Sequence, residues 1–119
     1  MILHICAAAD WMAAQQGGTS DYRAASLDDA GFVHCSDRGT LHLPANALYA
    51  GRADLVLLEI DETRLDVPVR WEPGVPPAPG APWFPHVYGP VPLNAVVAVH
   101  EFLPGPDGVF TLPPALANG

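Results

Sequence analysis

The chain has 119 residues, half of them hydrophobic, which suffices for one domain whose core needs no disulfide or metal staple. Five arginines and no lysine face 13 acidic residues, for a formal net charge of −8. So acidic a surface repels nucleic acid and anionic membranes, and neither is an expected partner. The chain does not open on a charged stretch followed by a long apolar run, and no window of about 18 apolar residues occurs. The expectation is a cytoplasmic protein whose two cysteines, Cys6 and Cys35, stay reduced.

Residues 2–6 read as a short apolar strand interrupted by His4. Residues 7–16 are good helix formers with Trp11 and Met12 placed for burial, and Gly17-Gly18 ends the helix. Ser26-Leu27-Asp28-Asp29 has capping-box shape and predicts one helical turn closed by Gly31. A short strand follows over 32–35. Pro44 suits the first turn of another helix with its body over 45–49 and Gly51 as its cap. The nearly continuous apolar run at 54–61 predicts a central strand covered on both faces. Further strands are expected over 67–71 and 94–102, with an edge strand over 109–112. Residues 73–82 are rich in Pro and Gly, cannot join a sheet ladder, and form either a lid or a plain connector. One domain over 1–113 and a frayed tail over 114–119 complete the organisation.

Of the five histidines, His4, His34 and His86 lie in or beside apolar segments. A buried imidazole is costly unless hydrogen-bonded, and a site shared by all three explains them together. His34 stands in Gly31-Phe32-Val33-His34-Cys35-Ser36, where Cys35 and Ser36 add a thiol and a hydroxyl. His86 stands in Phe84-Pro85-His86-Val87-Tyr88-Gly89, between chain breaks and beside Trp83, Phe84 and Tyr88, which suit the wall of a pocket for a planar ring. Arg70 and Glu72 close a strand where they could reach a ligand, while His42 and His100 are peripheral. Three imidazoles could make an open zinc site, but no paired metal-ligand spacing is present and no metal is expected. Cys35 as a nucleophile with His4 or His86 as base is a weaker reading, because nothing predicts a depressed thiol pKa.

Those motifs, with Ala45-Asn46, Leu55-Val56-Leu57-Leu58, Arg70-Trp71-Glu72 and the closing Pro90, resemble the family called domain of unknown function 952, small bacterial proteins of this size. That family in turn resembles a minimal ADP-ribosyltransferase-like domain. The resemblance implies an α+β fold: a split, twisted β-sheet with two or three short helices and a cleft for the nicotinamide half of NAD. It implies NAD as substrate and ADP-ribosyl-transfer-like or glycohydrolase-like chemistry, with His4, His34 and His86 catalytic and Ser36, Asn46, Tyr49, Arg70, Glu72 and Tyr88 binding the nucleotide. His86 stands where the transferases carry a glutamate that stabilises the cation left by nicotinamide, and Glu72 is the candidate to supply that carboxylate. The alternative is a non-catalytic module that keeps the cleft and binds a small ligand or a protein.

Overall fold

The computed structural model describes residues 1–74 and 76–117, and the architecture over them is mixed α+β with several antiparallel sheets. The first sheet has the order β1-β4-β8, built from β1 (Ile2–Ala7), β4 (Leu55–Ile60) and β8 (Val96–Phe102). The central place expected for residues 54–61 is borne out, because Leu55, Leu57, Leu58 and Ile60 are all buried. Alternate side chains of this sheet feed two cores. Ile2, Cys6, Leu58 and Ile60 pack with Trp11, Tyr22, Val33, Cys35 and Val87 on one side. Leu3, Ile5, Leu55, Leu57 and Phe102 pack with Leu41, Ala45, Phe110 and Leu116 on the other.

A second sheet has the order β3-β6-β5, from β3 (Val33–His34), β6 (Trp83–Val87) and β5 (Val69–Pro73). A two-stranded ribbon pairs β2 (Asp21–Tyr22) with β7 (Val91–Pro92). The expected strand at 67–71 runs two residues later, and Pro73 pairs with Trp83 at the last rung of the β5–β6 hairpin. A proline is tolerated there because the rung is terminal. The Pro/Gly-rich segment is thus the tip of this hairpin; its residue 75 lies outside the described residues. Residues 109–112 form no strand.

Four α-helices occur among the described residues, one or two more than expected. They are α1 (Ala8–Gln16), α2 (Ala25–Ala30), α3 (His42–Leu48) and α4 (Pro114–Ala117). Gly31 caps α2 in the left-handed conformation, its N–H donating to the Leu27 carbonyl at 3.1 Å, as glycine allows without strain. The cap of α3 is Tyr49, not Gly51. The segment expected as a frayed tail contributes α4, because Leu116 finds a place in the second core. Residues 118 and 119 lie outside the described residues.

The two three-stranded sheets touch at one rung. Leu3 N–H donates to the Ser36 carbonyl at 2.8 Å and Ser36 N–H to the Leu3 carbonyl at 2.7 Å. In continued antiparallel register Ile5 would next exchange hydrogen bonds with His34. The strands part instead, and what fills the gap decides where the histidines stand.

Candidate functional site

Strand parity builds the site. In the sheet β3-β6-β5, His34 pairs with His86 and His86 with Arg70, so the three occupy one rung and project to the same face. Two residues along each strand, on the same face, come Phe32 and Tyr88 to one side and Phe84 and Glu72, themselves a pair, to the other. The odd-numbered partners Val33, Cys35 and Val87 point the opposite way and are buried in the first core. The polar rung therefore runs between an aromatic pair, Phe32 and Tyr88, and a mixed one, Phe84 and Glu72.

His86 is the centre of this face and is only 2% exposed. Its ring stacks on Phe32 with centroids 4.0 Å apart and planes 17° apart, and His34 meets it edge-on at 5.4 Å. Its Nδ1–H donates to Glu72 Oε1 at 2.9 Å, and Tyr88 donates its hydroxyl to the same oxygen at 2.5 Å. A carboxylate can only accept, so the proton of a neutral His86 sits on Nδ1 and Nε2 carries the lone pair. No described residue bonds that Nε2. Nor is it sealed off: among the described residues the one fully buried side-chain nitrogen or oxygen without a partner is Arg38 Nε.

The two hydrogen bonds on Oε1, from Tyr88 and then from His86, hold the Glu72 carboxyl below its ordinary range. Its Oε2 has no hydrogen-bond partner among the described residues. The same carboxylate pushes the Tyr88 phenol up and keeps it protonated. His34 is held below the usual histidine value, first by partial desolvation against its neighbours and then by repulsion from His86. The residue as a whole is exposed, and water at its open edge tempers that shift. Arg70 lies over the Tyr88 ring at 4.9 Å, a cation–π contact.

His4 belongs elsewhere. Its Nδ1–H donates to the His34 carbonyl at 2.6 Å and its Nε2 accepts from the Tyr22 hydroxyl at 2.9 Å. Cys35 N–H bonds the Pro85 carbonyl, so the His34 carbonyl faces away from β6 and into the gap where β1 departs. The imidazole stands in for the missing strand and satisfies that carbonyl. Burial, outweighing the bond to His34, drives its pKa down to about 4, so the wedge is neutral at pH 7. The three imidazoles do not meet in one hollow: two share a face, and the third touches the backbone behind it.

The other expected residues divide in the same way. Arg70, Glu72 and Tyr88 join His34 and His86, whereas Ser36, Asn46 and Tyr49 do not. Ser36 is buried at the rung with Leu3. Asn46 pins the backbone of Phe110, donating to its carbonyl at 3.0 Å and accepting from its N–H at 2.7 Å. Tyr49 packs against the second core with Arg52 over its ring. Burial pushes the Cys35 thiol far above its ordinary value, which removes it as a nucleophile. No group of three or more His, Cys, Asp or Glu among the described residues is arranged to hold a metal ion.

Phe32, the stacking partner of His86, and Tyr22, the partner of His4, are the site residues that sequence reasoning missed. The available signal was the period-two spacing of Phe32/His34, Arg70/Glu72 and Phe84/His86/Tyr88, which puts each set on one face of its strand.

Fold and site together define a small α+β domain with two sheets joined at one rung and a histidine–carboxylate pair on the open face of the second. The chain belongs to the family described as Protein of unknown function (DUF952), whose profile matches residues 5–99. It is similar to protein CC0527 from Caulobacter crescentus. Against that protein's crystal structure it is 29% identical with a TM-score of 0.82, over 98% of this chain and 97% of that one. The solution NMR structure of CC0527 gives 28% identity and a TM-score of 0.78, over 99% and 97% of the two chains. A comparison with curated proteins found no match. No helix among the described residues is long and apolar enough to cross a membrane.

Proposed function

We propose that the domain binds a nucleotide, NAD foremost, on the His34–His86–Arg70 rung and cleaves its nicotinamide–ribose bond, as ADP-ribosyl transferases and NAD glycohydrolases do. The reading draws on the resemblance to the ADP-ribosyltransferase-like domains. The observation that carries it is the Glu72 carboxylate 2.9 Å from His86 Nδ1 with one oxygen unengaged. As the glycosidic bond breaks, its electron pair leaves with nicotinamide and positive charge grows on the ribose carbon. An ionised carboxylate placed in advance stabilises that charge. His86 Nε2 accepts the proton of the attacking water or acceptor hydroxyl, and its imidazolium is stabilised by Glu72. His34 and the aromatic flanks provide surface for the ring.

A second reading, a binding module without turnover, is favoured by one observation. Two concavities of the molecule are lined by residues away from this rung. One of about 420 Å³ is bounded by Asp10, Tyr22 and Arg23 among others, and one of about 350 Å³ by Ser20, Asp66 and Pro92 among others.

Incubating the protein with NAD and quantifying free nicotinamide, beside calorimetric titration of NAD, separates the readings. Release that collapses in Glu72→Gln and His86→Ala supports the first. Binding without release selects the second; neither binding nor release refutes the first and leaves the second only for a ligand other than NAD.

A further inference from the structure

The number and placement of positive charges restrict what this face can hold. The chain has five cationic side chains, all arginine. Four are matched to a carboxylate: Arg23 to Asp28 at 3.8 Å, Arg38 to Glu59 at 3.5 Å, Arg52 to Asp54 at 2.7 Å and Arg64 to Asp61 at 3.5 Å. Arg70 alone has no carboxylate within 4 Å among the described residues; it lies against the Tyr88 ring, with the Glu72 carboxylate the negative charge that feels it on the same face. A guanidinium held over an aromatic ring is bonded through its charge and not through its N–H groups, which can still form two hydrogen bonds to a phosphate.

Arg70 and His34 are the two ends of one rung, with His86 between them. Neighbouring strands are about 4.8 Å apart, so the outer positions of a three-stranded rung are about 10 Å apart. That is the backbone spacing; the two side chains rise from it on one face, and the long Arg70 chain reaches to the Tyr88 ring, so a ring at His34 and its own 5′-phosphate at Arg70 fall within reach together. A second phosphate would find no further arginine on this rung, in a molecule whose net charge of −8 already opposes it.

We infer that the face recognises a ring–ribose–monophosphate unit, with the ring at His34 and one phosphate at Arg70, so that a dinucleotide is held by one half only. The inference rests on the nucleotide reading above and narrows its substrate class to mononucleotides and to the nicotinamide mononucleotide half of NAD.

Calorimetric titration of the intact protein with nicotinamide riboside, nicotinamide mononucleotide and NAD tests it. The expected result is that the mononucleotide binds within about threefold of NAD and about tenfold or more tighter than the riboside. Arg70→Ala, an exposed position with little effect on folding, should bring the mononucleotide down to the riboside. NAD binding more than about tenfold tighter than the mononucleotide would show that the second half is gripped. That would overturn the inference while leaving the nucleotide reading intact. Equal binding of riboside and mononucleotide, or an unaffected Arg70→Ala, would overturn it too. Absence of binding by all three would remove the nucleotide reading itself and the inference with it.

Discussion

His4 and His86 are both buried imidazoles near the same strand, and their surroundings could hardly differ more. At the joint between the sheets, His4 has a partner on each nitrogen, a backbone carbonyl and a phenol, and both partners are neutral. On the second sheet, His86 has a partner on one nitrogen only among the described residues, and that partner is a carboxylate. A ring saturated by neutral groups has no lone pair to offer and is penalised for taking a proton. A ring oriented by a carboxylate with its far nitrogen free can take a proton and be stabilised in doing so. Burial alone therefore does not distinguish the two histidines; the open valence does.

The largest effect expected from breaking this contrast is on turnover. If nicotinamide release is the activity, His86→Ala should slow it about 10²- to 10⁴-fold, the range for loss of a general acid or base. His4→Gln should leave the rate within about one order of magnitude, because it acts only through the position of His34. Equal losses in the two variants would erase the distinction.

Next comes acid stability. The pKa of His4 falls from the ordinary 6.5 to about 4 on folding, so the unfolded chain binds the proton first. Stability is then flat above about pH 7, declines as pH drops from 6.5 towards 4, and loses roughly 3 kcal/mol in all. Denaturant titrations across that window should show the slope in the parent protein and a marked reduction of it in His4→Gln, the remainder coming from the lowered pKa of His34. Glu72 has the lowered pKa of a paired carboxylate, so its contribution is present above its ordinary 4.5 and is lost only as pH falls through the lower folded value. The His4 window lies mostly above that of Glu72, so the fall between pH 6.5 and 4.5 reports the histidines.

Tyr22→Phe should cost about 1–2 kcal/mol in the same titrations, because it leaves His4 Nε2 buried without a donor. The smallest change is expected at His34, whose ring is exposed. His34→Ala should alter stability by less than about 0.5 kcal/mol while weakening nucleotide binding, a combination that a purely structural ring would not give.

Much of this architecture was legible in the residue order. The apolar run at 55–60 reads as a central strand because burial on both faces demands continuous hydrophobicity. The helix at 8–16 follows from its formers and its glycine stop, and Gly31 marks the turn before His34 because the left-handed cap favours a residue without Cβ. Local chemistry decides such features. The alternation that puts Phe32 with His34, Arg70 with Glu72 and His86 with Tyr88 is also written in the chain.

Register and separation are not. Which rung aligns His34, His86 and Arg70, and that Glu72 meets His86 rather than solvent, depend on hydrogen bonds between strands far apart in sequence. The site of His4 depends on β1 leaving its neighbour after a single rung, which opens a gap one side chain wide. The two-residue strands β2 and β7 and the burial of Leu116 are likewise products of packing. Spacing along the chain selected the groups capable of chemistry. Only the folded sheets decided which of them keeps a free nitrogen, because that depends on what the other nitrogen touches across the strand.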